Sequence, residues 1–413
     1  MTEGVRMKRL LNLLAAVALA LLLLAPSAMA QKTVKIGLIG PLSGPWARQG
    51  HLMRLGAEMA VDEINSSGGI KSLGGAKLEL VVVDAGDSAE KAKNAAQRLV
   101  SQEPDLVGGM GSWLSSFTLA ITEVTERAKL PWLTLSYSDA ITDRGFHYVF
   151  QTSPTGGTQA KAAVPAMVEL AQNATGKRPT SVGIIMDNTA APVSFTKPMR
   201  EGGLQAMGLN LVMDEIFTPP LADATPLVQR IRSTRPNFLL LVSTSVPDDA
   251  LIIQKMNEFR LGKGRVPVVG NGAHLGVPEL LKLLGPDQLD GLMFIVANWA
   301  IKGQEDLVAR FKKRTGEPWL SQDSASHYGH VWILKEALER AGKADRVAVA
   351  EQIRKMDLTT GPAASAYAGG VKFQPNGRRD RAVVLVVQWQ NGVPVTVYPP
   401  EAAVADPIWP KGE

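Results

Sequence analysis

The sequence predicts an α/β protein of two doubly wound parallel-sheet lobes joined by hinge strands. Three observations carry this. Short apolar runs alternate with segments of helical periodicity along nearly the whole chain, the pattern of parallel strands with helices on both faces. After a polar bridge at 151–159 the same order begins again, with a second set of apolar strands. The chain has 413 residues, 45% hydrophobic and 20% charged, which is long for one hydrophobic core and ordinary for two.

The first thirty residues stand apart. Arg6, Lys8 and Arg9 precede an apolar run at 10–25, and Ala28-Met29-Ala30 supplies small residues before Gln31, the pattern of a secretory signal peptide. Met7 is an alternative start. The run is shorter than the roughly 20 residues that span a bilayer. No later segment is apolar for as long, so the mature chain is expected free in a periplasm. The formal charge of +5 becomes +3 without the leader, and basic and acidic residues are interspersed, which gives no case for nucleic acid. With no cysteine, disulfides and thiol chemistry are excluded, and stability rests on the core.

The mature chain opens with a strand at 34–39 and a loop, Gly40-Pro41-Leu42-Ser43-Gly44-Pro45. A helix follows with Leu52, Leu55, Gly56, Met59, Ala60 and Ile64 at helical spacing, stopped at 65–69. A strand at 78–83 ends in Asp84, and a helix begun near Asp87 or Ser88 carries Ala92, Ala95, Ala96, Leu99 and Val100.

The stretch 108–145 is the candidate centre of function. A strand at Leu106 and Val107 runs into Gly108, Gly109, Met110 and Gly111, expected to leave backbone exposed, and then into Ser112, Ser115, Ser116 and Thr118. A helix with Leu119, Ala120, Val124 and Ala128 on one face ends at Pro131. A second strand at 132–135 again ends in hydroxyls, Ser136, Tyr137 and Ser138. Two neighbouring parallel strands thus deliver hydroxyls and free N–H groups to one carboxyl edge beside a helix N-terminus, where open α/β sheets bind ligands. The chemistry on offer is hydrogen-bond donation, and no nucleophile with its base can be assembled there.

The second lobe is expected to hold helices at 160–170, 195–207, 226–231 and 248–259 between strands at 182–186, 209–216, 238–242 and 266–269. A strand at 292–297 leads to helices at 306–314, 324–341 and 347–356. An all-β end follows, with strands at 371–373 and 382–390, turns at Pro375-Asn376-Gly377 and Asn391-Gly392, and a last strand to Tyr398. The chain must then cross between lobes near 151–153, 297–299 and 378–381. The expected division is 31–151 with 298–379 as lobe 1, 152–297 with 380–400 as lobe 2, and 401–413 as a tail.

Other motifs lead nowhere. Gly40-Pro41-Leu42-Ser43-Gly44 lacks the ending of a phosphate-binding loop. His327 and His330 lie three apart on a helix but are too few for a metal, so no metal and no cofactor is expected. Asp248 and Asp249 read as helix-start carboxylates, and Asp84 and Asp87 as strand-end and cap residues.

Taken together, Lys35-Ile36-Gly37 through Ser43-Gly44, Gly56-Ala57-Glu58-Met59-Ala60-Val61-Asp62-Glu63-Ile64-Asn65 closing in Gly68-Gly69-Ile70, the Ser115-Ser116 loop, and Leu130-Pro131 to Thr142-Asp143-Arg144-Gly145 resemble the extracytoplasmic solute-binding proteins of branched-chain amino acid ABC transporters. The resemblance implies a type I periplasmic binding protein fold that closes on a small ligand by hinge bending, delivers it to an inner-membrane permease and performs no chemistry. It places the ligand's carboxylate on Ser115 or Ser116 and on Ser136 to Ser138, with a contribution near Gln49. Trp113 and Tyr137 offer rings to the ligand, and Asn188, Ser245, Asn271 and His274 are the second lobe's candidates. Two departures stand out. The family's frequent tyrosine after the first strand of lobe 2 is replaced by Asp187-Asn188-Thr189-Ala190-Ala191-Pro192. The acidic residue that neutralises an ammonium group is absent from Gly270-Asn271-Gly272-Ala273-His274, so aromatic or uncharged acids are expected slightly ahead of leucine-like amino acids. The protein is expected to be a monomer. A ligand-binding protein of a sensory system is the alternative, and an exported hydrolase a remoter one.

Overall fold

A computed structural model describes residues 33–410 and Met7. The expected leader and the start at Gln31 lie outside the described residues. The described residues form two large sheets, each sandwiched between helices, as the alternating pattern implies.

In the first lobe, strands β1 (Thr33–Gly40), β2 (Lys77–Asp84), β3 (Gly108–Gly111), β4 (Trp132–Thr134) and β5 (Val149–Gln151) pair in parallel in the order β2-β1-β3-β4-β5. Helices α1 (Ala47–Ser66) and α2 (Ala89–Gln102) follow the first two strands, and α3 (Ser115–Arg127) follows β3. The second lobe repeats the arrangement. Strands β6 (Ser181–Asp187), β7 (Asn210–Phe217), β8 (Phe238–Val242), β9 (Val268–Asn271) and β10 (Met293–Val296) stand in the order β7-β6-β8-β9-β10. Here α4 (Gly156–Thr175) precedes β6, while α5 (Ala190–Pro198), α6 (Thr225–Thr234) and α7 (Val246–Glu258) connect the strands.

After β10 the chain returns to lobe 1 with α8 (Glu305–Thr315), α9 (Gln322–Ala341) and α10 (Arg346–Arg354), and with the short antiparallel pair β11 (Asp357–Leu358) and β12 (Val371–Lys372). It then adds β13 (Leu385–Gln390) and β14 (Val393–Tyr398) antiparallel to the edge at β10. Of the all-β end, β13 and β14 are thus part of the second sheet, whereas the strand expected at 371–373 pairs with β11 apart from it.

Alternation along each strand sets the cores. Phe238, Leu240 and Val242 of β8 face one layer with Val182, Ile184 and Ile295, while Leu239 and Leu241 face the other with Ile252, Phe294 and Trp389. In lobe 1, Ile36, Leu38, Met110 and Leu133 pack on Ala60 of α1 and Leu334 of α9. The opposite face buries Leu99, Phe117, Ile121 and Trp132.

Three local expectations need correction. The strand expected at Leu106 and Val107 begins at Gly108, and its glycines are buried rather than exposed. A Cβ on Gly109 would stand 2.3 Å from Trp132, and one on Gly108 would stand 2.7 Å from Leu334, so large neighbours occupy the space small residues leave. Helix α3 buries Phe117, Thr118, Ile121, Thr122 and Thr125, not the face of Leu119, Ala120 and Val124, and the Thr118 and Thr122 hydroxyls find acceptors inside. The helix expected at 195–207 starts at Ala190 and breaks at Glu201 and Gly202, whose backbone is not helical.

Candidate functional site

In each sheet the strand order reverses between the first and third strands, β1 and β3 in lobe 1 and β6 and β8 in lobe 2. Loops leaving the carboxyl ends at such a point diverge and leave a crevice. The two crevices face each other. Trp46, after β1, donates its indole N–H to the carbonyl of Thr244, after β8, at 3.1 Å. Trp113, after β3, stacks on His274, after β9, with ring centroids 6.1 Å apart and planes 29° apart. The cleft between the lobes is therefore closed.

Its lining comes from both lobes: Gln49, Trp113, Leu114, Ser115, Leu135, Tyr137, Gln322 and Asp323 from one, Ala191, Pro192, Ser243, Thr244, Asn271, Gly272, Ala273 and His274 from the other. Of the residues singled out in the sequence, Gln49, Trp113, Ser115, Tyr137, Asn271 and His274 meet here. The Ser115 hydroxyl accepts from the backbone N–H of Tyr137 at 3.1 Å and of Ser138 at 3.0 Å, which ties the start of α3 to the loop after β4. Tyr137 donates its phenol to Gln322 at 2.5 Å, and the same Gln322 oxygen accepts from the N–H of Ala297 at 2.8 Å. Asn271 donates to Gln159 at 2.9 Å.

The other named residues stand outside this lining. Ser136 is buried and donates to the carbonyls of Ser112 and Trp113, 2.8 and 2.9 Å away. The Ser138 hydroxyl lies 3.2 Å from that of Ser194 across the lobes. Ser116 is half-buried on α3. Asn188 is exposed and donates to Thr218 at 2.7 Å, and Ser245 precedes α7.

The acidic residues correct the sequence reading most. The cleft was expected to lack a carboxylate for an ammonium group, yet Asp323, in the first turn of α9, lines it and is 1% exposed. Its Oδ2 has no hydrogen-bond partner among the described residues. Burial pushes this carboxyl up to about 7, against the opposing pull of His274 and Arg48. Asp249 is also buried. It accepts from Ser243, and its Oδ2 lies 2.8 Å from His274 Nε2, off the line of a hydrogen bond. Asp187 accepts from Thr244 at 2.7 Å and from the Thr189 hydroxyl at 2.6 Å, with burial raising its carboxyl against these bonds. Asp248 accepts from the Leu221 N–H at 3.0 Å rather than capping its own helix. Asp84 does hold its strand end, accepting from the N–H groups of Leu42 and Gly86, each at 2.8 Å.

His327 and His330 sit deeper, with ring centroids 4.9 Å apart. His327 Nδ1 meets the carbonyl of Asp323 at 2.8 Å, and His330 Nε2 meets Thr152 at 2.8 Å. Among the described residues no three histidines, aspartates or glutamates are placed to hold a metal ion.

A family model described as a periplasmic binding protein matches residues 33–393. The chain belongs to that family. It is 31% identical over 393 residues to Leu/Ile/Val-binding protein homolog 7 of Brucella melitensis, covering 93% of this chain and 96% of the relative. The family that the residues at 35–145 resemble is therefore the one found. Solved periplasmic binding proteins share the fold. One is a branched-chain amino acid transporter substrate binding protein from Streptococcus pneumoniae in complex with isoleucine, with a TM-score of 0.76 at 20% identity, covering 88% of this chain and all of that one. Another is a solute binding protein of an ABC transporter from R. palustris in complex with benzoate, with a TM-score of 0.74 at 18% identity, covering 92% of this chain and 99% of that one. Among the described residues no helix is long and apolar enough to cross a membrane.

Proposed function

We propose that this periplasmic binding protein is the substrate-binding component of an ABC importer. It captures a small polar ligand, a branched-chain-type amino acid, a small or aromatic carboxylate or an amide, in the cleft between its lobes and hands it to a permease in the inner membrane. It works as a monomer in the periplasm after loss of residues 1–30, and it carries out no catalysis.

One observation carries this reading. Buried polar atoms of Gln49, Trp113, His274 and Asp323 converge on the cleft from both lobes without a hydrogen-bond partner among the described residues. Buried polar groups are nearly always paired, so such a cluster in a concave site is what a polar ligand completes.

Hinge bending about 151–153, 297–299 and 378–381 belongs to the same proposal, with 31–151 and 298–379 moving against 152–297 and 380–400. In its support, two of these segments pair directly: Gln151 donates its N–H to Gly377 at 2.8 Å and accepts from the N–H of Arg379 at 2.9 Å. The Arg379 guanidinium is buried, donates to the carbonyls of Thr152 and Gly370 at 2.6 and 2.8 Å, and lies over the ring of Tyr367. A hinge so anchored keeps its crossing point while the lobes rotate.

Thermal unfolding against a library of amino acids, carboxylic acids and amides tests the proposal. Ligand at 100 times its Kd adds about 2.7 kcal/mol to stability, a clear rise in Tm. No shift with any compound, or turnover of an ester or amide, overturns it.

A further inference from the structure

We propose that two buried glutamines, Gln322 and Gln159, are positioning residues that tie the cleft lining of each lobe to the segments where the chain crosses between lobes, so that a ligand seated in the cleft holds the closed form through them. This rests on the cleft being the ligand site.

In lobe 1 the connection starts at the loop after β4. The Tyr137 phenol donates to Gln322 Oε1 at 2.5 Å, and the same oxygen accepts the backbone N–H of Ala297, at the crossing 297–299, at 2.8 Å. Both lone pairs of that oxygen are thereby used. Tyr137 is joined to the crossing at 151–153 as well. Its carbonyl accepts from the Gly156 N–H at 2.6 Å, and Gln151 donates its side-chain amide to the carbonyls on either side, Ser136 at 2.7 Å and Ser138 at 3.1 Å.

Lobe 2 uses different residues to the same end. Asn271, at the end of β9, lines the cleft and donates to Gln159 Oε1 at 2.9 Å. Gln159, fully buried on α4 and outside the lining, donates in turn to the carbonyl of Pro154 at 2.9 Å, next to the crossing at 151–153.

Glutamine suits these places because it offers an acceptor and two donors without a charge, and so is buried without the desolvation cost of an ion. The crossings are the segments whose backbone angles change when the lobes rotate. With the Ala297 N–H and the Pro154 carbonyl fixed to cleft residues, opening must either move Tyr137 and Asn271 or break buried hydrogen bonds. A ligand packed against Tyr137 and Asn271 resists the first, and the buried bonds resist the second.

Stopped-flow release and small-angle scattering on Tyr137→Phe, Gln322→Leu, Gln159→Leu and their double variants test this. The probe is the compound of the amino acid, carboxylic acid and amide library that raises the wild-type Tm most. Each single variant should release it about five- to tenfold faster, with association within about twofold of wild type. At saturation its radius of gyration should lie nearer the free value than that of wild type does. Y137F and Q322L cut one link, so together they should release no faster than Q322L alone, whereas Q159L should add its full factor to Q322L. Y137F removes one oxygen and keeps the ring, so the test stands if a glutamine variant folds poorly. Variants with a lowered urea midpoint but wild-type release and compaction would show a purely structural role and overturn the inference. So would Y137F and Q322L effects that multiply. Either result removes this inference alone, whereas a wild type that binds no compound of the library removes the binding function with it.

Discussion

Gly56 of α1 faces Ser324 of α9 so closely that a β-carbon on it would stand 2.0 Å from the Ser324 carbonyl oxygen. The Ser324 hydroxyl adds a bond to the carbonyl of Leu52 at 2.8 Å. Gln49 lies two turns before Gly56 on the same face of α1, and Asp323 immediately precedes Ser324, so this contact fixes the distance between two cleft residues. Gly56→Ala must push the helices apart. It should cost about 1–3 kcal/mol in urea unfolding and weaken ligand binding as well. Wild-type stability in this variant would mean that the helices are not held at this point.

Ser115 and Ser116 separate in the same way. Ser115→Ala leaves the buried N–H groups of Tyr137 and Ser138 without their acceptor, at about 1–3 kcal/mol for each. Half-buried Ser116 lies outside the cleft lining, so Ser116→Ala should change stability by less than about 0.5 kcal/mol and binding little. Denaturation and titration of both variants check the order.

The pH dependence of stability isolates Asp323. Its carboxyl stands at about 7 in the folded protein against an ordinary 3.8. The folded state therefore keeps a proton that the unfolded chain releases. The associated stability is fully present below about pH 4 and is lost as pH rises to about 7, by a few kcal/mol at most. His327 works in the opposite sense, because burial lowers it from 6.5 to about 4 and its contribution is lost as pH falls through that value. Comparing ligand-free wild type with D323N from pH 4 to 8 cancels the His327 part. The variant should gain in relative stability as pH rises, and parallel curves would contradict the assignment.

Arg48 of lobe 1 bonds Glu279 of lobe 2 at 2.9 Å, and these side chains are 21% and 40% exposed. A pair so placed is worth roughly 0.2–1 kcal/mol. Glu279→Gln should therefore speed ligand release up to about fivefold, with the difference shrinking at high salt. Stopped-flow dissociation would show it, and an unchanged rate would remove this pair from the closing contacts.

How much of this was legible in the sequence depends on which physical signal each residue carries. Phe238–Val242 reads as a buried strand because both its faces are covered and every residue is apolar. Gly108–Gly111 does not, because glycine has little strand propensity, and only the placement of Trp132 and Leu334 above it makes a strand the better packing. At three residues, β5 is too short to show a period. Trp113, Ser115 and Tyr137 are legible as candidates because they follow two successive apolar strands, and His274 because of its place in the family resemblance; all four line the cleft. Asp323 was missed for the opposite reason. It sits in a helix start far along the chain, where an acidic residue reads as a favourable charge at the helix dipole, and only the packing of α9 on α1 carries it to the cleft.

The proposed function requires that the two lobes close over a small ligand. Small-angle X-ray scattering of the protein, free and saturated with its tightest-binding library compound, measures this most directly. A decrease in the radius of gyration with ligand, to the value expected of the structure in which Trp46 reaches Thr244, is the predicted result. An identical profile with and without saturating ligand would contradict it.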